Sequence, residues 1–92
     1  METIVIKVSG TTNVNKAAGA IANSIRDGKK VEVMAIGPTA NNQVVKALAT
    51  ARGFIASNGL DLTFAVAFSN TTIEDAERTA MKYVVLVNQI QA

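Results

Sequence analysis

Residues 35 to 59, AIGPTANNQVVKALATARGFIASNG, constrain the chain more than any other stretch, because a strand end, a corner and a long amphipathic helix follow one another without a linker. Gly37-Pro38 stops the strand, and Pro38 suits the first turn of a helix, where its missing N–H has no partner to lose. Ala40, Val44, Ala47, Leu48, Ala51 and Ile55 then recur at helical spacing, and Ser57-Asn58-Gly59 closes the helix. A helix with one such stripe is stable only against a second layer, so the chain must supply a sheet for it. Val45 and Ala49 add a second apolar edge, wider than covering one sheet requires. Gly53 lies inside the helical pattern and costs about 1 kcal/mol relative to Ala unless a close backbone approach compensates for it.

The flanking segments supply the strands. Residues 2 to 9 alternate, with Ile4, Ile6 and Val8 on one face and Val5 and Lys7 on the other. After Gly10, Thr12 or Asn13 can cap a helix from Val14 to Asp27 whose core stripe is Val14, Ala18, Ile21, Ala22 and Ile25, with Gly28 as its stop. Residues 31 to 36, VEVMAI, form a second strand, parallel to the first because a helical crossover joins them. Residues 60 to 69 show the cleanest alternation, with Leu60, Leu62, Phe64, Val66 and Phe68 on the core side. Residues 70 to 78, NTTIEDAER, read as a polar turn, and a last strand follows over Thr79 to Val87. The short connection makes the last two strands a hairpin. The order is therefore βαβαββ in one domain, residues 1–92: a two-layer α+β sandwich with a four-stranded mixed sheet and both helices on one face.

With no cysteine and no histidine, the chain lacks disulfides, thiol nucleophiles, the usual neutral-pH acid/base and the commonest transition-metal ligand. Ser9 and Thr11, or the carboxylates Glu74, Asp75 and Glu77, match no catalytic motif, so no enzyme, metal or cofactor is expected. The strand-to-helix corners SGTTN and GPTANNQ match neither dinucleotide-binding nor P-loop patterns. Nothing resembles a signal peptide or membrane span, and a cytoplasmic location is the expectation.

The formal charge of +2 matters less than its placement. Lys16 falls in the first turn of the first helix, where the helix dipole opposes a cation. Parallel first and second strands would bring that turn and the start of the second helix to one edge of the sheet. Lys16, Asn41, Asn42, Gln43 and Lys46 would then form a mildly basic surface suited to phosphate-backbone contact, with Arg52 and Arg78 as further cations or as partners for Asp61 and the acids at 74 to 77. An ordinary solvated helix face is the competing reading. Phe54, Phe64, Phe68 and Tyr83 mostly fall at core-facing positions, so an aromatic platform for bases is not expected. Val45, Ala49 and Gly53 on the second helix, and Val84 and Leu86 on the uncovered sheet face, are the candidate self-association surfaces.

AIG-x4-NQ-x-VKA at Ala35 to Ala47, ARGF followed by Gly59-Leu60-Asp61-Leu62, and ERTA at Glu77 to Ala80 resemble the stage V sporulation protein S (SpoVS) family, with likeness along nearly the whole chain. The resemblance implies an Alba-like βαβαββ fold, similar also to the C-terminal domain of translation initiation factor three. It implies a homo-oligomeric bacterial regulator of sporulation or development that binds DNA or RNA. In Alba, lysines at the first helix start, a basic segment after the second strand and a basic hairpin arm hold the duplex. By position, Lys16 lies near the first of these, and Asn42, Gln43 and Lys46 near the second, whereas the hairpin tip here is acidic. A protein-interaction module without nucleic acid, in the same regulatory role, is the alternative that this tip favours.

Overall fold

The computed structural model describes residues 1–90, so the last two residues of the expected domain lie outside the described residues. The elements follow the expected order: β1 (Thr3–Val8), α1 (Val14–Arg26), β2 (Lys30–Ala35), α2 (Pro38–Ala56), β3 (Leu60–Ile73) and β4 (Ala76–Gln89). β1 and β2 are parallel, β2 and β4 antiparallel, and β3 and β4 form the hairpin, giving a mixed four-stranded sheet in the order β1-β2-β4-β3.

Local chemistry sets the boundaries. Asn13 caps α1, its Oδ1 accepting from the Lys16 N–H at 2.9 Å. Gly28 and Gly59 follow the two helices with φ of 75° and 71°, a left-handed conformation that a side chain would resist. Ala18, Ile21, Ala22 and Ile25 of α1 and Val44, Ala47, Leu48, Ala51 and Ile55 of α2 join Val31, Val33, Tyr83 and Val85 of the sheet in one core. Alanines are interspersed with larger residues in both stripes, which lets the helices lie close to each other and to the sheet. The far ends of the helices are tied by Arg26, which donates to Asn58 Oδ1 at 2.9 Å and to the Phe54 carbonyl at 2.8 Å.

Two expectations need correction. Residues 70 to 78 are not a turn: β3 runs to Ile73 and β4 starts at Ala76, leaving Glu74-Asp75 as a two-residue turn. Thr71, Thr72 and Ile73 are β-branched and sit comfortably in a ladder, so the polar composition that suggested a loop instead marks a solvated hairpin arm. The turn residues have φ of 52° and 64°, as the mirror-image hairpin turn demands, although neither is Gly or Asn.

The second correction concerns the core side of β3. Leu62 is buried, but Phe64, Val66 and Phe68 are 40%, 48% and 76% exposed. β3 is an edge strand, and β4 separates it from the middle of the sheet, so cover from α2 is confined to its start around Leu62. Phe54 is also largely exposed. Beside the Cα of Gly53 an added methyl would meet open space, with no close approach among the described residues.

Candidate nucleic-acid interface

The parallel pairing of β1 with β2 sends α1 and α2 off the same end of the sheet. Gln43 fixes the two starts together, its Nε2 donating to the Thr12 carbonyl, the residue before the α1 cap, at 3.0 Å. Lys16 is exposed in the first turn of α1, and Asn42 and Lys46, four apart on α2, are exposed on one helix face. Among the described residues neither lysine has an ion-pair partner.

Two of the expected contact residues are committed elsewhere. Asn41 Oδ1 accepts from the Tyr83 hydroxyl at 2.8 Å while Nδ2 donates to the Gly37 carbonyl at 2.8 Å, locking the α2 start onto β4. Burial pushes the Tyr83 phenol above its ordinary pKa, so the hydroxyl stays a donor well into alkaline conditions. Gln43 is spent on Thr12. Each amide commits one N–H to building the surface, and Asn41 its oxygen as well, which leaves at most one side-chain N–H on each for a ligand. Arg52 is likewise occupied: it pairs with Asp61, its Nη2 donating to Oδ2 at 3.2 Å. The hydrogen bond from Arg52 holds the Asp61 carboxyl below the usual carboxylate range. Arg78 stands apart from these, on the hairpin arm opposite Thr71.

Two basic residues were missed as members of this end of the molecule. Lys7, Met34 and Lys82 are consecutive neighbours across β1, β2 and β4 on the uncovered face. The two lysines lie two strand spacings apart, about 10 Å. Their alternation with core positions made them look like ordinary solvated residues; only the strand order brings them together. Beyond them, the arm overhangs the ends of β1 and β2, because Ala35 pairs with Met81 and the hairpin continues to Glu74-Asp75. The molecule is accordingly elongated, with extents of 48 × 26 × 18 Å.

The five candidate self-association residues separate onto two surfaces. Val45, Ala49 and Gly53 run along the exposed side of α2 beside β3, whereas half-buried Val84 and exposed Leu86 face out from the opposite side of the sheet. Among the described residues no cluster of three or more His, Cys, Asp or Glu could hold a metal ion, and no helix is long and apolar enough to cross a membrane.

A family model for stage V sporulation protein S (SpoVS) matches residues 4–88, from β1 to the penultimate residue of β4. The chain belongs to the SpoVS family. The match takes in both helices and the whole hairpin arm, so every element of this end of the molecule is part of the SpoVS domain. Membership makes this a small sporulation-related protein.

Proposed function

We propose that this SpoVS family member is a non-catalytic regulator that binds nucleic acid through the phosphate backbone and acts as a homo-oligomer, in the cytoplasm. The observation that supports the reading is the bond from Gln43 to Thr12, which holds side by side the starts of α1 and α2, the elements that carry the exposed Lys16, Asn42 and Lys46. A lysine in the first turn of a helix is opposed by the dipole, and a bound phosphate there would relieve that opposition while also accepting from free first-turn N–H groups. Lys7 and Lys82 extend positive charge around the same end of the sheet. Lysines and an exposed amide supply charge and donors but no base-edge code, which suits backbone contact without strong sequence preference.

Reversing charge at Lys16 and Lys46 is expected to weaken binding of a labelled duplex or single strand at about 50 mM salt and to flatten its salt dependence. Absence of binding by the unaltered protein under that condition would refute the reading. A second reading, a module for a protein partner in the same regulatory role, is favoured by the acidic overhang at Glu74, Asp75 and Glu77, which phosphate would repel. Capture from cell extract with and without nuclease separates the two, since a direct protein partner survives nuclease.

A further inference from the structure

Five consecutive residues of the exposed edge strand form a mirror-image sequence. Around Val66 it reads Phe64-Ala65-Val66-Ala67-Phe68, flanked by the hydroxyl residues Thr63 and Ser69. β3 is at the edge of the sheet, and its pairing with β4 runs unbroken from Leu60 to Ile73 without a bulge. None of the usual protections of a free edge is present: residues 62 to 73 contain no proline and no charge.

The hydrogen-bond phase of the strand is also fixed. The Ile90 N–H donates to the Gly59 carbonyl at 2.9 Å, so Gly59 turns toward β4, and in an antiparallel ladder every second residue after it does the same. The two-residue turn agrees, since it makes Ile73 and Ala76 a bonded pair. The intervening residues Phe64, Val66 and Phe68 therefore direct their N–H and C=O groups outward. Leu62 would do likewise, but its N–H is taken by Asp61 Oδ1 at 2.9 Å, which closes the open edge at that end.

We propose that the β3 edges of two copies pair antiparallel about a two-fold axis through Val66, joining the two sheets into one. It rests on the oligomeric part of the proposed function and names its partner and register. An antiparallel pair of identical strands is self-complementary only if the residues equidistant from the axis suit each other. Here Phe64 falls opposite Phe68 of the other copy, Ala65 opposite Ala67, and Thr63 opposite Ser69. All outward N–H and C=O groups from Phe64 to Phe68 find partners in this register, because Val66 facing Val66 is a bonded pair. Phe64 already stands edge-on to Tyr83, with centroids 5.4 Å apart, and Phe68 of the second copy would extend that aromatic contact over the surface α2 leaves bare. Val45, 50% exposed beside Phe64, would lie at the same seam.

Because the chain has no cysteine, a single introduced thiol reads the register directly. Val66→Cys places two thiols on the axis, with Cα atoms about 5.5 Å apart, within disulfide range. Residue 70 of the two copies would instead be about 27 Å apart, at about 3.4 Å per residue. We expect a dimer by light scattering at micromolar concentration, covalent dimer on oxidation of Val66→Cys and none with Asn70→Cys. Phe68→Glu, at a side chain outside the core, is expected to abolish the dimer while circular dichroism stays unchanged. A monomeric parent protein, cross-linking at 70 rather than 66, or a Phe68→Glu dimer as stable as the parent would each overturn the proposal. Charge reversal at Lys16 and Lys46 leaves the edge intact and is expected to leave the dimer intact. Failure of nucleic-acid binding therefore does not touch the edge pairing, and a monomeric parent does not touch the lysine surface.

Discussion

Asn41 gives a sharp test of how the candidate surface is built. Its side chain is the acceptor for the hydroxyl of Tyr83, which is 6% exposed, and the donor to the Gly37 carbonyl. Asn41→Ala leaves that part-buried hydroxyl without its partner, a cost of about 1–3 kcal/mol. The Gly37 carbonyl loses less, because it still accepts from the Asn41 backbone N–H at 3.1 Å. Alanine also favours the helix by roughly 0.5 kcal/mol, which offsets part of the loss. The expected net loss is about 1–2 kcal/mol, equivalent for a domain of this size to a fall in Tm of roughly 5–15 °C. Removing the hydroxyl as well, with Tyr83→Phe, relieves the orphaned donor. The double variant should then lose less than the two single losses together, by about 0.5–2 kcal/mol. Urea titration of the four proteins measures this coupling. Strict additivity, or an Asn41→Ala change below about 0.5 kcal/mol accompanied by loss of nucleic-acid binding, would show that Asn41 serves as a contact rather than a lock.

Further outcomes follow from the core, the turn and the Arg52–Asp61 pair. Leu48→Ala, at a 1% exposed position between the helices and the sheet, should cost about 2–5 kcal/mol and leave the domain marginal by thermal melting. Replacing Glu74-Asp75 by Asn-Gly supplies the residues that tolerate φ above zero and should raise stability by about 1 kcal/mol in urea titration. It also removes two acids from the arm and should tighten nucleic-acid binding, as anisotropy would register. Asp61 is held below its unfolded-state pKa by Arg52, so its contribution is present above about pH 4 and lost as pH falls through the lower folded value. Arg52→Gln should accordingly lower stability above about pH 4, leave it unchanged below the folded value, and so flatten the acid limb of a stability–pH curve.

The element order was legible because the hydrophobic period switches cleanly between two and 3.6 at Gly10, Gly28, Gly37 and Gly59. The hairpin arm was not, since Asn70, Thr71 and Thr72 serve equally well in a loop or in a solvated strand, and only pairing with β4 decides between them. Alternation likewise assigned Phe64, Val66 and Phe68 to the correct face but could not say whether anything covers it. Coverage depends on strand order: β3 is at the edge, and α2 runs beside only its start, around Leu62 to Phe64. For the candidate surface, exposure of Lys16, Asn42 and Lys46 followed from helical spacing. The internal roles of Asn41 and Gln43 did not, because their partners Tyr83 and Thr12 lie far away in the sequence.

The most direct measurement of the central claim is the salt dependence of duplex binding, by fluorescence anisotropy from about 50 to 200 mM salt, for the parent protein and for Lys16→Gln with Lys46→Gln. If the two lysines contact phosphates, log K falls linearly with log salt for the parent, and the double variant binds more weakly at every salt with a slope shallower by about two. No binding by the parent at about 50 mM salt, or an unchanged slope and affinity in the double variant, would contradict it.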